Sequence, residues 1–467
     1  MVFSSLPFLY YFLPAALILY FAVPGFLKNG ALLLISLAFY GWGEPKYVLL
    51  MVFTILSGYF FGLIIEKYRG RQASRLFLLF SVIVHAGILL YFKYADFFIE
   101  NFNAVTGLSM PLLRLSLPVG ISFYTFQVLS YTIDVYRGDT CAQKNPVALA
   151  AYVSMFPQLI AGPIVRYSTI AEQLKSRRHT LEKLASGIRR FVLGLGKKIL
   201  LANTLGELCS LFRESGDSSV LFVWIYAVSF TLQIYFDFSG YSDMAIGLGR
   251  IFGFEFPENF NYPYLSASIS EFWRRWHISL GTWFRDYIYI PLGGNRVSFA
   301  KWLRNLLVVW FLTGFWHGAS WNFIVWGLYF AALLMIEKLW NTHRYPKFPK
   351  AVCHILVLFF VMIGFVIFDA ASLPEAFRLI GAMFGSGSLP IWSAEALYYM
   401  KSYLFLFLIA AIGATPLPAR LAAKLRSTKR GQWSFPFLEP LFLGILLLVM
   451  TGYLVDGSFN PFLYFRF

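Results

Sequence analysis

Apolar residues in this chain come in long unbroken blocks that recur from one end to the other. Charge-free runs occupy 1–27, 47–65, 76–92, 115–133, 305–336, 351–368 and 402–419. A helix needs roughly 20 mainly apolar residues to cross the hydrocarbon core of a bilayer, so each run predicts a span or a near-span. The expected fold class is an all-α polytopic membrane protein with about eleven transmembrane helices. Re-entrant and interfacial helices lie between them, in a single transmembrane domain over residues 1–467.

Composition agrees with the pattern. Of 467 residues, 58% are hydrophobic and 13% charged, against about 45–50% and about 25% in a soluble domain. A soluble chain of this length could not hide so much apolar surface. The net charge of +16 would point to nucleic acid in a soluble protein. Here the basic residues cluster in short connections between apolar runs, which is the distribution of cytoplasmic loops. Nucleic acid is therefore excluded as a partner, and anionic membrane lipids are the natural one.

Loop charge also orients the chain. Connections 66–75, 166–198, 271–304, 337–350 and 420–430 are net positive, with nine basic and two acidic residues in 166–198, and are placed in the cytoplasm. The 207–217 connection has one basic and three acidic residues and is placed outside, as are the N-terminus and the tail 456–467. The N-terminal run lacks a basic flank and an A-x-A cleavage pattern and reads as a retained span. Parity fails once. Residues 93–114 look external and 166–198 internal, yet two apolar runs, 115–133 and 145–165, lie between them. One of the two must be broken or re-entrant, and the second holds Pro157 and Pro163. Irregular backbone at membrane depth requires burial in protein or a wet cavity.

Few residues are placed to do chemistry. His317 lies thirteen residues beyond Arg304 in the longest uncharged stretch, about 20 Å along a helix rising 1.5 Å per residue. An ionisable side chain at such depth reads by default as functional. Gly314, Gly318, Ala319 and Ser320 around it would let a substrate or another backbone approach closely. His85 and His354 sit in plain apolar runs, where packing explains them, and His179 and His343 are loop residues. His277 belongs to a connection, 271–304, that interleaves Arg274, Arg275 and Arg285 with Phe272, Trp273, Trp276 and Trp283. That composition suits interfacial helices and a surface for a phosphorylated ligand equally well. A polar island at 233–243 carries Asp237 and Asp243, which point to different helix faces and make a poor acid/base pair; they suit orienting a histidine or pairing with arginine inside the protein. The glycines of 247–253 follow no strand and suit close helix packing. Three scattered cysteines and two histidines without ligand spacing give neither a disulfide framework nor a metal site. Walker motifs and a nucleophile elbow are missing, which argues against an ATP-driven pump and a serine hydrolase.

Leu117-Pro-Val-Gly-Ile-Ser-Phe-Tyr-Thr-Phe-Gln127, Phe156-Pro-Gln-Leu-Ile-Ala-Gly-Pro163, 233–243, Phe256-Pro-Glu-Asn-Phe-Asn261, 271–294 and 313–322 together resemble the membrane-bound O-acyltransferase family, in its bacterial alginate O-acetylation branch. The resemblance covers about 117–327. It implies a helical ring around a central funnel in the cell inner membrane. His317 matches the catalytic membrane histidine and His277 the second signature histidine. Arg274, Arg275, Trp276, Asp237 and Asn322 are the candidate substrate-binding residues. The implied acyl donor is acetyl-CoA from the cytoplasm, with no permanently bound cofactor, and a periplasmic acetyl-transfer partner protein acts beyond the membrane. Neutral imidazole suits general-base attack on a thioester, although His317 could also carry the acyl group as a nucleophile. Competing readings are D-alanyl or acetyl transfer to teichoic acid or peptidoglycan. A different class is a proton-coupled transporter or flippase using His317 and Asp237 as a relay.

Overall fold

The computed structural model describes residues 2–216, 219–342 and 348–457, and their regular structure is helical throughout. His343, Ser458 and the C-terminal Phe-Arg-Phe lie outside the described residues. Seven described helices are long and apolar enough to cross a membrane: Pro45–Lys67, Gln72–Thr106, Val220–Ile251, Trp321–Trp340, Lys350–Asp369, Ala394–Gly413 and Lys429–Asp456. Phe8–Ala22 is a shorter apolar helix. The sequence count of about eleven is larger because several apolar runs fold as shorter pieces. Run 115–133 becomes helical only over Ile121–Arg137, and run 305–336 is shared between Phe299–His317 and Trp321–Thr342.

Contacts divide the chain into two compact units. Among the described residues, one holds those up to Phe191 with Ser242–Pro257, the other Val192–Tyr241 with those from Glu258 onward. In the first unit, Val48–Lys67, Gln72–Thr106 and Ile121–Arg137 pack on one another. Lipid supplies no hydrophobic drive between helices, so small residues that allow close approach carry the contact. A Cβ on Gly58 would stand 2.6 Å from Val128 and one on Gly62 2.5 Å from the Tyr131 hydroxyl. Gly187 and Gly247 meet in the same way, each lying against the other's carbonyl, which is the packing expected of the 247–253 glycines.

One of the two runs 115–133 and 145–165 is visibly broken in this unit. Pro146–Ser154 is a helix of 9 residues, too short to cross by more than about half at 1.5 Å per residue. It stops at Met155, where ψ swings to 107° ahead of Pro157, and after the single turn Phe156–Leu159 the chain is irregular to Arg166. Residues 151–165 are all buried. Backbone groups released by the break find side chains instead. Ser36 Oγ accepts from the Phe156 N–H, Gln158 Nε2 donates to the Tyr152 carbonyl, and the Tyr152 hydroxyl donates to the Val165 carbonyl. The 145–165 run is thus the broken one.

In the second unit, Phe299–His317 and Trp321–Thr342 form a tight antiparallel hairpin. A Cβ on Gly314 would collide with the Phe323 carbonyl, and one on Gly327 with the Trp310 carbonyl. The two backbones therefore touch. The small residues beside His317 admit the neighbouring helix of the chain itself: Gly318 is filled by the Phe323 ring. Lys350–Asp369 packs on the second arm of the hairpin, with Gly364 against the Phe330 and Tyr329 rings. Val220–Ile251 carries Asp237, whose carboxylate pairs with Lys198 Nζ at 2.7 Å with both side chains almost fully buried. Lys198 lies in a π-helical stretch, Lys197–Asn203.

Candidate active site

The site is built at the turn of the hairpin. His317 is the last residue of its helix, and the backbone becomes extended at Gly318. Its imidazole is buried against three rings, all met edge to face. Trp316 lies at 5.1 Å, Trp326 at 5.0 Å and Phe368 at 5.2 Å. Trp326 comes from the second arm of the hairpin and Phe368 from the end of Lys350–Asp369. That end is fixed by Asn322, whose Nδ2 donates to the Ala370 carbonyl at 2.9 Å. Asn322 Oδ1 is buried and accepts nothing among the described residues.

His277 reaches the same place from two short helices, Ile269–Arg275 and Ile278–Phe284. The first is capped twice. Ser268 Oγ accepts from the Glu271 N–H, and the Glu271 carboxylate accepts from the Ala267 N–H, a variant of the capping box. That backbone hydrogen bond, followed by Arg275, holds the Glu271 carboxyl below the usual range. Glu337 closes the same end by accepting from the Ile269 N–H. His277 then takes a left-handed backbone, φ 43° and ψ 53°. A non-glycine residue there costs of order 1–3 kcal/mol and persists only when its surroundings impose it. The 259–261 segment imposes it: the Ile278 N–H donates to the Asn259 carbonyl and the Asn261 N–H to the Arg275 carbonyl, each at 2.9 Å.

Asn259 also fixes the tautomer. Its Oδ1 accepts from the Ser279 N–H and hydroxyl, so the amide oxygen points that way and His277 Nδ1, at 3.2 Å, must be the donor. Nε2 then carries a bare lone pair, and it is buried with no hydrogen-bond partner among the described residues. Burial pushes the imidazole down to about 3, because a charged ring would lose its hydration. His277 is accordingly neutral at physiological pH and offers an acceptor, which fits a substrate hydroxyl and does not fit phosphates or an oxyanion. Its ring lies 4.6 Å from Phe238 and 6.1 Å from Trp316. The Trp316 indole thus contacts both imidazoles.

The remaining candidates are dispersed. Arg275 donates from Nε and Nη2 to Glu271 and from Nη1 to the Asn261 carbonyl. Arg274 is exposed and donates within its own helix, to the Ser270 carbonyl. Trp276 is buried among Phe260, Phe272 and Phe365, at 5.1, 5.6 and 5.1 Å. Asp237 takes Lys198, and Asp243 takes Arg190 at 2.8 Å, which realises the arginine pairing expected of the polar island. Sequence reasoning did not single out Trp316, Trp326, Phe368, Phe238 or Asn259. Trp316 and Asn259 stood inside matching motifs, whereas no spacing links Phe368 to His317. Among the described residues no three metal-ligating side chains come together.

The pattern for the membrane-bound O-acyltransferase family matches residues 39–373, which include every residue of this site. The chain belongs to the membrane-bound O-acyltransferase family. This makes it a multi-pass membrane O-acyltransferase and sets aside a transporter or flippase. Several relatives are acetyl-transfer proteins by name. The chain is 45% identical over 392 residues to a probable alginate O-acetylase AlgI of Azotobacter vinelandii, covering 83% of this chain and 79% of that protein. It is 39% identical to the corresponding protein of Pseudomonas putida over the full length of both. A peptidoglycan O-acetyltransferase of Helicobacter pylori is 36% identical over 422 residues, 82% of this chain and 80% of that one.

Proposed function

We propose that this O-acyltransferase moves acetyl groups from cytoplasmic acetyl-CoA across the inner membrane for O-acetylation of an extracytoplasmic polysaccharide, alginate being the first choice. A periplasmic partner protein completes the transfer. The observation that carries the reading is the convergence of His317 and His277 on Trp316, with the buried His277 Nε2 lone pair left open. The named relatives support acetyl as the group and alginate as the polymer. Peptidoglycan is the second choice, favoured by the Helicobacter pylori relative.

In the proposed step, His277 Nε2 accepts a hydrogen bond from the acceptor hydroxyl and aims it. His317 removes the hydroxyl proton as the oxygen bonds to the thioester carbon. The carbonyl π pair moves to oxygen, then returns and expels the coenzyme A thiolate, which recovers the proton from the His317 imidazolium. General-base assistance of this kind is typically worth 10²–10⁴-fold. Arg274, exposed at the basic connection, offers its guanidinium to the donor's phosphates.

Radiolabelled acetyl-CoA supplied to the cytoplasmic face of membrane vesicles, with alginate and periplasmic extract on the other face, tests the reading. Label should reach the polymer, and His317→Ala should cut transfer at least about a hundredfold while acetyl-CoA still binds. Transfer within threefold of the unaltered protein would remove His317 from catalysis. Label appearing on peptidoglycan and never on alginate would replace the polymer.

A further inference from the structure

When the acceptor oxygen bonds to the acyl carbon, negative charge collects on the former carbonyl oxygen, and a preorganised donor facing that oxygen is usually the largest single contribution to rate. The obvious candidates are disposed otherwise. His277 turns a lone pair into the site, because its proton lies on Nδ1 against Asn259. Arg275 is engaged by Glu271 and the Asn261 carbonyl. Asn322 gives its amide hydrogen to the Ala370 carbonyl. The Trp326 indole N–H is not engaged in this way. Trp326 is 2% exposed, stands 5.0 Å from the His317 ring at 83°, and buries an Nε1–H that meets no acceptor among the described residues.

A buried donor without an acceptor costs the full desolvation of that group, so natural folds rarely retain one without a use. Trp326 is also held firmly. Its neighbour Gly327 lies against the Trp310 carbonyl, and its ring is packed by Phe368 at 5.3 Å and Phe330 at 5.4 Å. Such a donor need not reorganise during the reaction, and being neutral it adds no charge to a buried site.

We infer that Trp326 Nε1–H donates to the carbonyl oxygen of the bound acyl group and stabilises the oxyanion that forms there. This rests on the reading of His317 as the base. As the acceptor oxygen adds and His317 takes its proton, the π pair settles on an oxygen already hydrogen-bonded to the indole. The pair then returns as the thiolate leaves.

Trp326→Phe keeps a ring and deletes the N–H. In purified full-length protein reconstituted in vesicles, kcat with acetyl-CoA should fall by about 10²–10³-fold. The KM for acetyl-CoA should stay within threefold, and the melting temperature should be unchanged. The deficit should shrink with fluoroacetyl-CoA, whose oxyanion needs less help, and a merely structural tryptophan would not produce that dependence. If the phenylalanine variant does not fold, 3-benzothienylalanine at position 326 replaces N–H by sulfur within the same outline and should lose kcat alike. A folded variant with kcat within threefold of the parent overturns the assignment. His317→Ala run alongside separates the two claims. If it is inactive while Trp326→Phe is active, only the oxyanion donor is wrong. If it is active, the base itself is wrong.

Discussion

At the scale of single residues, the sequence singled out His317 and His277, which the structure sets against the same Trp316 indole, while several other candidates lie apart from them. His317 was legible because a titratable group far from any charge is costly in a bilayer. His277 was legible only through the motif around it, since its left-handed backbone and Asn259 tether have no signature in spacing. Trp276 and Asn322 sit beside the chemistry in sequence but face aromatic packing and a helix end in space. Arg274 and Arg275 are adjacent in the chain and differ in what they touch, which gives a clean prediction. Arg274→Gln should raise the KM for acetyl-CoA more than for a short acetyl thioester lacking nucleotide phosphates, because a guanidinium binds phosphate oxygens through two parallel N–H donors. Arg275→Gln should lower the melting temperature and affect both donors alike, since it releases Glu271 and the Asn261 carbonyl. The ratio of kcat/KM for the two donors is the measurement. An unchanged ratio for Arg274→Gln would return that residue to the membrane interface.

At the scale of elements, uncharged runs located helices well where nothing interrupted them. Runs 47–65 and 351–368 became Val48–Lys67 and Lys350–Asp369. Run 402–419 shifted to Ala394–Gly413, because a helix tolerates Lys401 near its start, whereas proline-rich 416–418 cannot continue it. In run 305–336 the place of the turn was not legible. Nothing in hydropathy marks the turn at 318–320, and the decisive contacts are made by glycines through their lack of a side chain. Glycine in a helix normally costs about 1 kcal/mol relative to alanine, so Gly30, with nothing within 4 Å of its absent Cβ, should tolerate or gain from Gly30→Ala. Gly327→Ala should do the reverse, forcing the hairpin apart at the Trp310 carbonyl. It should lower both thermal stability in detergent and transfer activity. Equal melting temperatures for the two variants would contradict backbone contact at Gly327.

At the scale of the whole molecule, loop charge and helix breaks make one statement about sidedness. Helices Phe299–His317 and Trp321–Thr342 run antiparallel, and the positive-inside rule would put the basic connections 271–304 and 337–350 that flank them in the cytoplasm. Charge proposes an orientation, and the identity of the broken segment was not legible, because 115–133 and 145–165 are both long and uncharged or nearly so. Cysteines placed at the exposed Ser176 and Ser427, in a protein whose Cys141, Cys209 and Cys353 have been replaced, should react with an impermeant maleimide only from the cytoplasm. Labelling of either from the opposite face would overturn the orientation. The Lys198–Asp237 pair carries a further consequence, for biogenesis. Each charge alone in the centre of a nascent helix disfavours insertion by about 2.5–3.5 kcal/mol, and the two are separated by 39 residues of chain. The segment bearing Lys198 therefore gains from waiting at the translocon until the segment bearing Asp237 has been made. The two then enter lipid as a neutral couple, so assembly order in this part of the protein is written into an ion pair.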